Sequence, residues 1–386
     1  MAIDFPNSPA LNQTFTSGGR VWIWDGAKWT PASTSGSGFL PLSGGTMTGE
    51  LLLAADPTAA LDSATKQYVD AGVASAQYSN YGGFVNKLRN GTMDVWQRGT
   101  SIAIGPGTGG NNTADGWWVI SSGGASTALQ AAGRGPTLYS LQVNGVAGVT
   151  AMTVLHKIES FVSAALGVAS VTFQAQIYNA TAASITPTLT ARHPSTQDTW
   201  PSPPTSAPVD VGPVNLQSCP AGAWTRVAYT FTVPQASASL GLHVELGFGA
   251  LTTASVRIAE ADLRATPNLP VGLCANPPPP ELRPIETETT FCQRYYYQST
   301  GNAPGAVFFN GSVTSGSAYQ GVCLFKVRMR ASPSVTLTPA GSNTGFANAV
   351  GSIFGVGPDG VIETRSANAT SSAGYFSSNV AASAEL

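Results

Sequence analysis

The most regular signal in the chain is a period of two. In VTFQAQIY (171–178), Val171, Phe173, Ala175 and Ile177 fall on one side and Thr172, Gln174 and Gln176 on the other. WTRVAYTFTVP (224–234) repeats the pattern with Val227, Tyr229, Phe231 and Val233. Successive side chains of an extended chain point to opposite faces, so each run predicts a half-buried antiparallel strand. LHKIESF (155–161), LGLHVELGFG (240–249) and ASVRIAEADL (254–263) continue in kind. So many strands with turn-rich spacers predict a two-sheet jelly roll over 86–268. Farther on, CLFKVRMR (323–330) sets Cys323, Phe325, Val327 and Met329 inward and Lys326, Arg328 and Arg330 outward, and Asp359-Gly360 marks a hairpin. A second, smaller C-terminal β-sandwich is predicted over 291–386.

The segments around these two regions read differently. TFTSGGRVWIWDGAKWTP (14–31) predicts short strands around Asp25-Gly26, with Trp22, Trp24 and Trp29 crowded together. A β module as small as 1–38 needs such aromatics for a core or an assembly contact before it can spare them for a sugar platform. ASTSGSG (32–38) has the composition of a flexible linker. Within a connector over 39–85, Asp56-Pro57 suits a helix start, and Ala64 to Gln77 lacks helix breakers apart from Gly72. Leu61, Tyr68, Val69, Val73 and Ala76 give that short helix an uneven apolar face, so it needs partners to be stable. Four successive prolines in ATPNLPVGLCANPPPPELRP (265–284) impose an extended segment and predict a Pro-rich linker over 269–290.

Composition narrows the class. Charged residues are 10% of the 386, Gly numbers 43 and Pro 27, and helix-forming Glu and Lys are scarce, so the fold class expected is all-β. A formal net charge of -2 without a basic run excludes nucleic acid as ligand. The sequence holds no apolar run of membrane-spanning length, and MAIDFPNSPA lacks a basic start followed by an apolar stretch. Neither membrane insertion nor secretion by a signal is expected, and synthesis is expected in a cytoplasm. Cys219, Cys274, Cys292 and Cys323 show no Cys-x-x-Cys spacing and are expected as free, mostly buried thiols.

Several stretches resemble bacteriophage fibre proteins. LPLSGGTMTGELLLAADPTAALDSATKQYVD (40–70) resembles the connector of phage tail-fibre and receptor-binding proteins, and FPNSPALNQ with WDGAKW resembles their N-terminal module. NKLRNGTMDVWQRGTS (86–101), NNTADGWW (111–118), the 155–161 segment and the Trp224-Thr225-Arg226 strand resemble a tail-fibre jelly roll similar to carbohydrate-binding modules. The chain departs from that pattern at His156-Lys157-Ile158-Glu159, where a Gln-Arg pair is commoner. FCQRYYYQST (291–300) is a further phrase of the same kind. The resemblance implies a homotrimer, with the connector on a threefold axis. It implies attachment to a phage baseplate, tail or capsid protein through the N-terminal module, location in the virion after synthesis in the host cytoplasm, and multivalent adhesion to host surface polysaccharide. A capsid-attached head fibre or decoration protein is the alternative, and a polysaccharide depolymerase stands behind it.

No nucleophile, Walker, dinucleotide or metalloprotease motif appears, and His156, His193 and His243 lie in unrelated contexts, so no catalytic residue, metal or cofactor is expected. Among the acids Asp94, Asp115, Glu159, Glu245, Glu260 and Asp262, the last two share a strand face, and structural use outweighs catalysis. Trp117 and Trp118 are read as core. Trp200, on the Pro-rich loop HPSTQDTWPSPP, is a candidate ligand contact, since that loop offers it no strand to pack under. Tyr319, Phe346, Phe354, Tyr375 and Phe376 lie in Gly/Ser/Asn-rich stretches suited to contact surfaces, about half of these tip aromatics being core, and Tyr319, Phe346, Tyr375 and Phe376 complete the candidate set. Tyr295, Tyr296 and Tyr297 cannot all face inward on one strand.

Overall fold

Aromatic rings take the place of aliphatic residues in the N-terminal module. β1 (Thr14–Ser17), β2 (Arg20–Trp24) and β3 (Trp29–Pro31) form an antiparallel sheet in that order. Asp25 Oδ1 accepts the N–H groups of Ala27 at 2.9 Å and Lys28 at 2.8 Å, which closes the turn expected between β2 and β3. Phe5 stacks on Trp29 at 5.5 Å and meets Trp22 edge-on at 5.3 Å, while Phe15 and Trp24 close on Trp29 from 5.9 and 5.7 Å. The crowded tryptophans are half-buried and held in one aromatic cluster.

The structure, a computed structural model, describes residues 3–32, 55–57, 63–69, 84–107, 111–167, 169–267, 269–299, 306–341 and 343–386. The chain divides into two units, Met1–Thr65 and Lys66–Leu386. Most of the expected Ser/Gly linker and of the connector, its helix beyond Val69 included, lies outside the described residues; Lys66–Val69 are helical.

In the second unit, the period-two runs become a two-sheet sandwich. Its strands are β4 (Ser101–Ile104), β5 (Asn111–Asn112), β6 (Trp117–Ser122), β7 (Ser126–Ala132), β8 (Tyr139–Asn144), β9 (Ala151–Ile158), β10 (Ser170–Asn179), β11 (Thr188–Arg192), β12 (Val209–Asn215), β13 (Trp224–Thr232), β14 (Leu242–Gly247), β15 (Ser255–Ala265) and β16 (Gly272–Leu273). One sheet runs β16-β13-β10-β15-β8-β7-β4 and the other β12-β11-β14-β9-β6-β5. Val171, Phe173, Ala175, Ile177, Val227 and Phe231 of the first share a core with Trp117, Val154, Ile158, Leu242 and Val244 of the second.

The outer face of β10 departs from expectation. Thr172, Gln174 and Gln176 are buried as well: Thr172 bonds the Thr230 and Thr266 hydroxyls, and the Pro-rich segment meets Gln174. Gln174 Nε2 donates to Pro278 O at 2.7 Å, Gln217 Nε2 to Cys274 O at 3.2 Å, and the Glu281 N–H to Asp262 Oδ2 at 2.7 Å. An extended proline segment leaves its carbonyls without internal partners, so it suits a row of amide side chains. The expected linker over 269–290 is thus a strap, and it ends in a helix, Ile285–Gln293, whose first turn carries Glu286 and Glu288 at the positive end of the helix dipole.

The C-terminal region folds one sheet around its own core. β17 (Tyr296–Gln298), β18 (Val307–Val313), β19 (Ala318–Leu324), β21 (Ser352–Gly357), β22 (Gly360–Ser366) and the long β23 (Ser371–Ser383) run β17-β23-β18-β19-β22-β21, and β20 (Ser334–Pro339) adds to β23. Phe309, Phe346 and Phe376 fill the interior with Tyr297, Val307, Cys323, Phe325 and Val361. Gly321 admits the Phe376 ring: a Cβ there would stand 2.8 Å from Phe376 Cε2 and 2.7 Å from Val307 Cγ1. β19 stops at Leu324, yet burial of Cys323, Phe325 and Met329 keeps the expected alternation after the ladder ends. The four cysteines are free, three of them buried.

Regions 86–268 and 291–386 belong to one compact unit, joined by buried charge. Arg89 donates to Glu385 Oε2 at 2.8 Å and Arg98 to Glu385 Oε1 at 3.0 Å; Arg98 also reaches Asp115 at 3.2 Å. Lys157 Nζ donates to Leu386 O at 2.7 Å, and Arg294 and the Tyr295 hydroxyl both bond Glu159. The three tyrosines divide as geometry demands: Tyr295 is buried under Arg89, Tyr296 is half-buried beneath Arg98, and Tyr297 enters the C-terminal core.

Candidate functional site

The outer face of the six-stranded sheet carries the most developed chemistry. Because Leu242, Val244 and Leu246 of β14 face the core, His243 and Glu245 face outward, and the registers set the rest. Arg192 of β11, His243 and Lys157 of β9 form one cross-strand row. Thr190, Glu245, Leu155, Trp118 and Asn112 form the next.

Glu245 Oε1 accepts from Arg192 Nε and from His243 Nε2, both at 2.6 Å. Burial holds the His243 ring neutral, its pKa lowered despite that carboxylate, so Nε2 carries the proton and Nδ1 is left a bare acceptor without a protein partner. Trp200 lies over the imidazole, ring centroids 4.6 Å apart and 30° from parallel, and its Nε1 donor also lacks a partner. Lys157 Nζ stands 3.9 Å from the Trp118 ring centroid, with its pKa pulled down to about 8 by burial. Asn112 Oδ1 is a third polar atom on this face with no protein hydrogen bond. Buried polar groups are almost always paired, so three unpaired ones on one sheet face, on Trp200, on His243 beneath it and on Asn112 at the sheet edge beyond Trp118, set this face apart.

Of the ligand contacts expected from the sequence, Trp200 alone belongs to this face. Its loop does offer a platform, the His243 ring. Trp118, read as core together with Trp117, is instead half-buried on the outer face, whereas Trp117 is core and donates to Asn90 O at 3.0 Å. Phe346 and Phe376 are 4% and 0% exposed in the C-terminal interior, which removes both as ligand contacts. Tyr319 is half-buried, its ring against Phe309 and Phe346 and its oxygen accepting the Thr314 N–H at 2.8 Å. Tyr375 is half-buried on β23, apart from the tryptophan face. Glu260 and Asp262 are buried and each bound by an arginine, Arg134 and Arg264 respectively, which makes them structural. Among the described residues no cluster of three or more His, Cys, Asp or Glu is arranged to hold a metal ion. Arg192 is not singled out by the sequence, and His243 and Glu245 are named there only as an isolated histidine and a structural acid. The spacing His-x-Glu in a period-two strand was the available signal for two of them, but Arg192 joins only through the register.

The buried histidines give a signed pH dependence. Burial holds His156, like His243, below the ordinary value of 6.5, most strongly for His156, which also faces Arg89. The folded state therefore binds fewer protons than the unfolded state below that pH, and stability is lost as pH falls. Asp115 acts oppositely: burial raises its carboxyl from 3.8 to about 6, so its contribution declines as pH rises through that window. Asp115→Asn removes the opposing effect. Its melting temperature is expected to fall more steeply than that of the unsubstituted protein between pH 6.5 and 5, as read by thermal unfolding across that range.

No protein-family model matches the chain, and no curated protein matches it. Among solved structures, it is similar to the CBM22-1 xylan-binding domain of Paenibacillus barcinonensis Xyn10C at 13% identity, covering 44% of this chain and 95% of that one, with a TM-score of 0.29. It is similar to the enzymatically active domain of bacteriophage CBA120 tailspike protein 4 at 10% identity, covering 47% and 22%, with a TM-score of 0.31. An arabinose-bound α-L-arabinofuranosidase matches at 15% identity over 51% and 30%, with a TM-score of 0.32. At such scores the likeness carries neither fold nor ligand, and the chemistry rests on the residues themselves.

Proposed function

We propose that the protein is a glycan-binding, non-catalytic adhesin, the receptor-binding fibre subunit of a bacteriophage, with its sugar site on the outer face of the six-stranded sheet. The carrying observation is Trp200 laid over His243 beside the Arg192–Glu245 pair, with unpaired polar atoms around it. Sugars present apolar C–H faces to aromatic rings and hydroxyls to fixed polar groups, and this face supplies both. The phage assignment is supported by the residues at 40–70, 86–118 and 291–300 that resemble phage fibres. On that reading the subunit is a homotrimer, fixed to a baseplate, tail or capsid protein through its aromatic N-terminal module, and it acts in the virion. Three weak sites per fibre raise avidity by about 10² to 10⁴ without a strong single site.

The test is binding of the fluorescent full-length protein to bacterial cells before and after periodate oxidation of surface glycans. Periodate-sensitive binding, weakened about tenfold in Trp200→Ala by loss of one stacking face, is the expected result. Binding that survives periodate would overturn the glycan reading.

A further inference from the structure

A second concave site lies away from the tryptophan face. The segment 84–89, the end of β9 with the turn after it, and the helix Ile285–Gln293 with Arg294 and Tyr295 enclose a cavity of about 570 Å³, within the range of small-molecule sites. Its interior is apolar, with Leu88 and Ile158 buried at the floor. Phe84 and Phe291 meet edge to face at 5.0 Å on one side, and Phe161 stands 86% exposed at the rim. A phenylalanine so open beside an apolar hollow is costly in water unless something covers it.

The charges around the cavity single out one cation. Arg89 is paired with Glu385 at 2.8 Å, Arg283 with Glu288 at 2.9 Å and Arg294 with Glu159 at 3.1 Å. The Tyr295 hydroxyl also donates to Glu159 at 2.9 Å, so that carboxylate is already neutralised. Lys87, half-buried, has no ion-pair partner among the described residues: the Glu281 carboxylate attracts it but is bound by the Asn86 N–H at 2.7 Å, and the Lys87 ammonium reaches a backbone oxygen, that of Phe84, at 3.3 Å. A partly desolvated ammonium facing an apolar hollow is complementary to an anion carried on an apolar body.

We propose that this cavity binds an amphiphile, a single acyl chain or comparable apolar body carrying one anionic head group, with the chain against Leu88, Ile158 and Phe161 and the head on Lys87. The site is independent of the sugar face and needs no sugar.

The test is calorimetric titration of the full-length protein with dodecanoate below its micelle concentration, with dodecyl maltoside as the amphiphile of neutral head. Dodecanoate is expected to bind and to weaken about tenfold in Lys87→Gln, the worth of one charge-assisted contact. Dodecyl maltoside is expected to bind more weakly and to be unaffected by Lys87→Gln, while Phe161→Ser, at an exposed position that folding does not require, weakens both. Absence of dodecanoate binding, or a loss in Lys87→Gln shared equally by both amphiphiles, would overturn the proposal.

Discussion

Glu385→Ala is expected to cost about 3–5 kcal/mol, the usual penalty for leaving a buried charge without its partner. The carboxylate takes one oxygen to Arg89 and the other to Arg98, with the Arg89 and Glu385 side chains 7% and 8% exposed. Without it the Arg89 guanidinium keeps its bond to Lys157 O and its place 3.9 Å from the Tyr295 ring centroid. It has no ion pair left, only the more distant attraction of Asp115, and its Nε already lacks a partner. Arg98 fares better because Asp115 remains. The loss therefore centres on Arg89, and urea unfolding should show it as a lower midpoint. Glu385→Gln, which keeps the shape and an acceptor oxygen, should fall between the two. A change below about 1 kcal/mol in Glu385→Ala, the range of exposed ion pairs, would mean that this contact is solvated.

Phe376→Ala is expected to be as damaging, about 3–5 kcal/mol, as for other buried phenylalanines. The ring stacks on Phe309 at 5.5 Å, meets Phe346 edge-on at 4.9 Å and lies under Arg365 at 4.7 Å. The cavity left by its removal would be lined by rings that cannot collapse into it, since Gly321 opposite has no side chain to offer. Chemical denaturation measures the loss. A variant that kept its stability and lost cell binding would restore Phe376 to the surface role its sequence context suggested.

These two residues show where sequence pattern stops being informative. The inner face of β10 was legible because Val171, Phe173, Ala175 and Ile177 obey one local rule. Its outer face was not, because Gln174 and Thr172 read as solvent-facing and nothing nearby announces a strap a hundred residues away. The Arg89–Glu385 pair spans 296 positions, and no local pattern joins them. Phe376 sits among Ser, Gly and Asn, a loop-like composition, but it occupies a 13-residue strand whose small neighbours let sheet and ring approach closely. The ligand face was half legible. An isolated tryptophan on a proline-rich loop draws attention to Trp200, whereas Trp118 reads as core through the NNTADGWW motif it shares with Trp117, although adjacent strand residues must face opposite ways.

The most direct measurement of the central claim is a glycan array of bacterial surface polysaccharides probed with the full-length protein, Trp200→Ala and Trp118→Ala, each checked by thermal melting to be folded. Selective binding to one polysaccharide class is expected, weakened about tenfold by both substitutions and unchanged in a Phe354→Ala control on the exposed C-terminal surface. Failure to hold any polysaccharide, or binding that both tryptophan substitutions leave intact, would contradict it.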